Sequence, residues 1–234
     1  MDLTEPYHLL LVEDDHELAM MVAQFLRGEG FVIDTESNGE RAAHRIMTES
    51  FDAVVLDIGL PGLDGISVCR KVRPHFEGPI LILTARGDEI DEVVALEVGA
   101  DDYVAKPVRP RALLARLKVH LRRLETVSTA NLGMRVETSG MVIDASNRTV
   151  MIDQIPLDLT TAEFDLLWFL AQRSGQVVSR EELYQELQGT RYDGLDRSMD
   201  LRVSRLRKKI GDDPNHPERI KSIRGIGYLL TAKP

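Results

Sequence analysis

Cysteine is nearly absent: Cys69 stands alone among 234 residues, so no disulfide can close within the chain. No apolar run approaches the ~18 residues that a membrane-spanning helix needs. The N-terminal stretch, with Asp2 and Glu5, has neither the basic start nor the apolar core of a signal peptide. These absences predict a protein of the reducing cytoplasm that inserts into no membrane. Repeats with a period of about 20 to 50 residues are missing too, and nothing is low in complexity.

A basic excess is also lacking. Lysine and arginine total 29 against 38 aspartates and glutamates, a net charge of −9. The imbalance lies wholly in the front half: residues 1–130 carry 14 basic and 23 acidic side chains, residues 131–234 carry 15 of each. DNA binding is therefore not excluded, because the neutral rear half gathers its cations on one segment. The length suits two modest domains better than one.

The front half alternates apolar runs at 8–12, 32–35, 53–56, 80–83 and 103–105 with amphipathic segments. Leu18, Met21, Val22, Phe25 and Leu26 trace one helical stripe, and further helices are expected near 39–49, 65–73, 88–98 and 110–124. Continuously apolar strands alternating with helices predict an α/β, doubly wound, flavodoxin-like (βα)5 parallel sheet. The polar stretch 125–132 reads as a linker between a domain at 1–124 and another at 133–234. In the rear half, short strands at 134–136, 141–144, 149–152 and 155–158 precede helices near 161–173, 179–188 and 196–210. A hairpin around 224–227 completes an α+β domain.

In an open parallel sheet, ligands bind beyond the carboxyl ends of the strands. Those positions hold Glu13, Asp14 and Asp15 after strand one, Asp57 after strand three, Thr84 after strand four and Lys106-Pro107 after strand five. Three acids with a hydroxyl and an ammonium suit a hard cation and a phosphoryl group, and Mg2+ needs only one or two carboxylates besides phosphate oxygens and water. A carboxylate attacks phosphorus only when anionic repulsion is offset, a task for Mg2+ and a fixed lysine. Asp57 is the natural nucleophile, and Gly59 can offer its backbone carbonyl to the metal. Asp14 or Asp15 could equally cap the following helix.

The motifs V-E-D-D at 12–15, D-I-G-L-P-G-L-D-G at 57–65, L-T-A-R at 83–86 and G-A-D-D-Y-V-A-K-P at 99–107 resemble the receiver domain of bacterial two-component response regulators. The resemblance implies that Asp57 accepts phosphate from a sensor histidine kinase while Glu13 and Asp14 form the Mg2+ pocket. It further implies that Thr84 bonds the phosphoryl oxygen, Tyr103 is an aromatic switch, Lys106 pairs with the phosphate, and the bond before Pro107 is cis.

From Arg197 to Lys209 there are six basic residues and one acid, Asp200. Met199, Val203, Leu206 and Ile210 form a core stripe, which leaves Arg197, Leu201, Ser204, Arg205 and Lys208 on the opposite side. An apolar Leu201 among cations suits a major groove, where arginine bonds guanine and an apolar group meets a thymine methyl. A purely local role also exists for Arg207, Lys208 and Lys209, which complement the helix dipole. Together with L-T-T-A-E-F-D-L-L at 159–167, S-R-E-E-L at 179–183 and S-I-R-G-I-G-Y at 222–228, this segment resembles the winged-helix domain of the OmpR/PhoB subfamily. By that resemblance Arg197, Ser198, Leu201, Arg202 and Arg205 face double-stranded promoter DNA, Arg224 enters the minor groove from the wing, and Tyr228 lies near the DNA backbone. RNA polymerase is a further candidate partner.

The same resemblance implies that phosphorylated receivers form a homodimer, with Asp101 and Asp102 on the acidic side of the inter-protomer pairs and Arg116 and Arg123 on the basic side. One expected pair is missing, since Glu92 and Ala112 stand at its positions. The chain is thus expected to be a phosphorylation-activated transcription regulator and not an enzyme. Two other readings stand beside it: an aspartyl-phosphate phosphatase, although Asp57-Ile58-Gly59 lacks the second acid of a D-x-D pair, and a DNA-binding protein whose front half docks partners without phosphorylation.

Overall fold

The structure, a computed structural model, describes residues 6–85, 98–129, 135–189, 191–192, 194, 198–213 and 216–232. The chain divides into two compact units, residues 1–121 and 122–234.

The first unit is built from β1 (His8–Val12), α1 (His16–Gly28), β2 (Val32–Glu36), α2 (Gly39–Thr48), β3 (Ala53–Asp57), α3 (Gly65–Val72), β4 (Ile80–Ala85), β5 (Asp102–Lys106) and α4 (Pro110–Thr129). Its five strands form one parallel sheet in the order β2-β1-β3-β4-β5. Leu9 to Val12 and Ile80 to Leu83 are at most 1% exposed, which is what uninterrupted apolar strands covered on both faces require. The flavodoxin-like architecture read from the alternation is the one observed.

Two local expectations shift. The buried face of α1 runs through Ala19, Val22, Ala23 and Leu26, so the expected stripe is rotated and Met21 is 46% exposed. Small alanines fill the tight space beneath the helix, and the longer methionine lies outside. The last helix of the unit does not stop at 124: α4 continues through Thr129, across most of the expected linker. No glycine or proline occurs in 111–132, so nothing in the backbone ends the helix there. The helix expected at 88–98 lies, apart from Val98, outside the described residues.

The second unit opens with an antiparallel sheet of β6 (Arg135–Thr138), β7 (Met141–Asp144), β8 (Thr149–Ile152) and β9 (Ile155–Leu157), in that order. Helices α5 (Thr161–Ala171), α6 (Arg180–Gln188) and α7 (Ser198–Lys209) follow. Capping boxes start the first two: Thr160 with Glu163 at α5, and Ser179 with Glu182 at α6. A three-stranded sheet, ordered β10-β12-β11, joins β10 (Val177–Ser179) to the hairpin of β11 (Ile220–Ile223) and β12 (Gly227–Leu230). The expected stripe of α7 is buried: Met199, Val203, Leu206 and Ile210 are at most 2% exposed and join Phe164, Leu167 and Leu170 in one core. Gly227 does more than serve the turn. A Cβ there would lie 1.9 Å from the Val178 carbonyl oxygen, so only glycine lets β12 approach β10.

Candidate functional site

The carboxyl edge of the parallel sheet gathers the residues expected there. Strand β3 delivers Asp57, 5% exposed, and the residue after β1 is Glu13, 2% exposed. Asp14 beside it is exposed, and one carboxylate oxygen from each of these three residues lies within 4.8 Å of the others. Asp15 takes the capping role, accepting from the Glu17 and Leu18 amides at 3.0 and 3.1 Å, which leaves Asp14 for the pocket. Lys106, at the end of β5, places Nζ 2.7 Å from Asp57 Oδ1 and 3.0 Å from Glu13 Oε2. Thr84 is buried at the end of β4, and Tyr103 on β5 is 9% exposed. The Lys106-Pro107 bond is cis.

Backbone packing holds Asp57 in place. Its Oδ2 accepts the Gly59 amide at 3.1 Å. A Cβ on Gly65 would lie 2.0 Å from the Asp57 carbonyl oxygen, so the first residue of α3 closes on the strand end only as glycine. Burial pushes the Glu13 carboxyl above its usual range, outweighing the hydrogen bond and charge of Lys106. Burial also works against the Lys106 charge, but Asp57 and Glu13 together hold its ammonium above the usual lysine range. Glu13 Oε2 is buried and accepts no hydrogen bond, although the ammonium lies 3.0 Å away. Hard oxygen donors under mutual repulsion, one of them lacking a donor, fit a small divalent cation.

In the second unit, α7 and the hairpin are fastened by charge. Asp200 accepts from Tyr228 Oη and from Arg180 Nε, while the Arg180 guanidinium lies 4.9 Å from the Tyr228 ring centre. Burial and the Asp200 bond push the Tyr228 phenol above its usual range. Arg207 donates to the Ile220 carbonyl at 2.6 and 2.9 Å and to Ser222 Oγ at 3.0 Å, tying α7 to β11; burial lowers its guanidinium below the usual range. The Arg180 amide donates to the Ile226 carbonyl at 3.0 Å, which joins the hairpin tip to the start of α6.

Residues 9–118 match the family described as response regulator receiver domain, and residues 154–230 match transcriptional regulatory protein, C terminal. The transcriptional regulatory protein RstA of Escherichia coli (strain K12) is 42% identical over 232 residues, covering 95% of this chain and 96% of that protein. The chain belongs to the OmpR/PhoB-type response regulators. A solved member, the response regulator DrrB of Thermotoga maritima, is 34% identical, covers 97% of this chain and 100% of its own, and superposes with a TM-score of 0.50. A mutant of RitR, 24% identical over 96% of this chain and 99% of its own, has the same fold at a TM-score of 0.70. As a response regulator of this type, the protein is a phosphorylation-dependent regulator of transcription rather than an enzyme.

Several site residues expected from the OmpR/PhoB resemblance need correction. Ser198 and Arg202 are each 1% exposed and Tyr228 3%, so these side chains do not present themselves to DNA. Ser198 Oγ lies 3.3 Å from the Tyr184 hydroxyl and accepts from Gln188 Nε2 at 2.8 Å, inside the unit. Leu201, Ser204 and Arg205 are all partly exposed, with the Arg205 guanidinium 3.0 Å from Glu163, and Arg224 is exposed at the hairpin tip. Arg197 lies outside the described residues.

The acids expected between protomers are likewise internal. Asp101 and Asp102 have no exposed surface. Asp101 pairs with Arg73 at 3.0 Å and accepts the Ile80 amide, and Asp102 pairs with Arg116 at 2.8 Å, with His120 Nε2 3.4 Å away. A carboxylate already satisfied within its own chain cannot reach a second protomer unless this packing opens. Ala112 is exposed on α4; Glu92 and the side chain of Arg123 lie outside the described residues. Local reading missed Glu163, Arg180 and Asp200 as organisers of the DNA-binding unit. The one available signal was Asp200, the single acid in a basic segment.

Proposed function

We propose that Asp57 accepts a phosphoryl group from the phosphohistidine of a sensor histidine kinase, and that Glu13, Asp14, Asp57 and the Gly59 carbonyl hold the Mg2+ this transfer uses. A carboxylate oxygen of Asp57 bonds phosphorus as the phosphorus–nitrogen bond breaks, and the imidazole leaves with the bonding pair. Lys106 offsets the charge of Asp57 and then pairs with the arriving phosphoryl oxygens. Thr84 supplies a hydroxyl beside them. Bound Mg2+ offsets the acidic pocket and the transferring oxygens. The observation that carries this reading is the ammonium of Lys106 lying within 3.0 Å of both Glu13 and Asp57.

Phosphate then promotes pairing of two receivers, and the dimer binds repeated promoter DNA through α7 and the hairpin. In support, Tyr103 and Lys106 share β5, the edge strand of the sheet, so the pocket and an outer surface of the unit have one strand in common. Pairing raises the effective concentration at two half-sites without any new base contact. Leu201, Arg205 and Arg224 keep exposed surface among the described residues expected at the DNA, and Ser204 and Lys208 lie on the same outer side of α7.

The test is Asp57→Asn. Small-phosphodonor treatment with Mg2+ gives the wild-type chain a phosphoryl adduct by intact mass, together with tighter, two-site DNA binding. The variant stays folded and gives neither. A treated variant that binds DNA with the affinity and two-site stoichiometry of the treated wild type would sink the switch.

A further inference from the structure

Ser198 and Met199 open α7, and the first amides of a helix find no acceptor inside it. For Met199 the acceptor comes from another helix. Tyr184 on α6 is 1% exposed, and its Oη accepts the Met199 amide at 3.3 Å. The same hydroxyl lies 3.3 Å from Ser198 Oγ, which accepts from Gln188 Nε2 at 2.8 Å. Tyr184 and Gln188 are four residues apart and so share one face of α6. Gln188 has no exposed surface, and its Oε1 accepts no hydrogen bond among the described residues. An orphaned buried carbonyl is unfavourable, so Gln188 weakens the core around it, and what it supplies there is the donor to Ser198. The Tyr184 ring is itself held, its centre 4.9 Å from that of Tyr192.

One hydroxyl therefore ties the start of α7 to α6, while Arg207 ties its far end to β11. The helix rises about 14 Å from Ser198 to Arg207, so a tilt of about 10° about the Arg207 end displaces the first turn by about 2 Å. Charge attraction to phosphates survives such a shift, but a hydrogen bond to a base edge does not. We propose that Tyr184 is a positioning residue for sequence recognition: its hydroxyl caps α7 from the neighbouring helix and fixes the angle at which Leu201, Ser204, Arg205 and Lys208 meet base edges. It sets specificity and leaves the electrostatic grip on DNA alone. The proposal rests on the reading that α7 faces DNA.

The test compares two duplexes: one that the wild-type chain itself enriches from a random pool, and one of random sequence. The full chain is titrated with both at stated salt as wild type and as Tyr184→Phe, which keeps the ring and loses the hydroxyl, after a check for native circular dichroism. Affinity for the enriched duplex is expected to fall by about tenfold, the scale of one lost buried hydrogen-bond partner. Affinity for the random duplex and its salt slope stay at the wild-type values, because no phosphate contact is lost. A residue that only stabilised the fold would lower the melting temperature and, in the folded chain, leave both affinities alone. A folded Tyr184→Phe with the wild-type ratio of the two affinities overturns the proposal, as does equal weakening on both duplexes. Hydrogen exchange in the wild-type chain tests the cap itself. The Met199 amide is expected to exchange as slowly as the interior amides of α7, and rapid exchange there overturns the proposal even if Tyr184→Phe does not fold. A wild-type chain that enriches no sequence overturns instead the reading that α7 faces DNA, and the proposal with it.

Discussion

Glu13 is held in a place where its charge is unwelcome. Burial raises its carboxyl more than Lys106 lowers it, and Asp57 adds repulsion. Removing that charge should therefore stabilise the metal-free protein while weakening the pocket. Glu13→Gln is expected to melt higher than wild type without Mg2+ and to lose affinity for Mg2+ by ~10–100-fold or more. Thermal melts with and without the ion check both halves, and a lower metal-free melting temperature would contradict the argument. Glu163 has the opposite sign. Its folded pKa is depressed below the ordinary 4.5, so its contribution is present above the unfolded value and lost as pH falls through the folded one. The melting-temperature gap between wild type and Glu163→Gln should be full near neutrality and shrink below about pH 4.5, as the wild-type carboxyl becomes neutral like the amide.

At the scale of elements, the tightest constraint is where β12 passes β10. Gly227→Ala forces a methyl to within 1.9 Å of a carbonyl oxygen and should cost about 1–3 kcal/mol or more, measured by urea unfolding of the second unit. Much of this level was readable from sequence. Runs such as Ile80 to Leu83 announce strands covered on both sides, the positions after them name the pocket, and the spacing of Met199, Val203, Leu206 and Ile210 gives the inner face of α7. What escaped has physical causes. Strand β10 is three residues long and runs directly into the Ser179 cap, too short for any alternation to register. The end of α4 was hidden because Val127, Ser128 and Thr129 are weak helix formers that nothing nearby interrupts. Arg202 and Arg207 looked external because charge normally is; only tertiary partners such as the Ile220 carbonyl make an interior arginine tolerable. The pairing of Glu163 with residues more than forty positions away leaves no trace in local spacing.

For the whole molecule, two units with separate cores imply two separable transitions. If the acidic pocket holds the ion, saturating Mg2+ should raise only one of them in calorimetry. The shift corresponds to about 2.7 kcal/mol at a hundredfold excess over Kd. Ion-induced shifts of both transitions, or of neither, would count against the assignment. Counted across the chain, the acids outnumber the bases, and of the six cations in 197–209 two, Arg202 and Arg207, are buried inside the fold. A regulator must find a few promoters among millions of competing sequences, and every outward cation lengthens its stay on the wrong ones. By turning Arg202 and Arg207 inward, this protein forgoes part of its grip on arbitrary chromosome and searches more lightly, leaving the choice of address to the side chains that still point out.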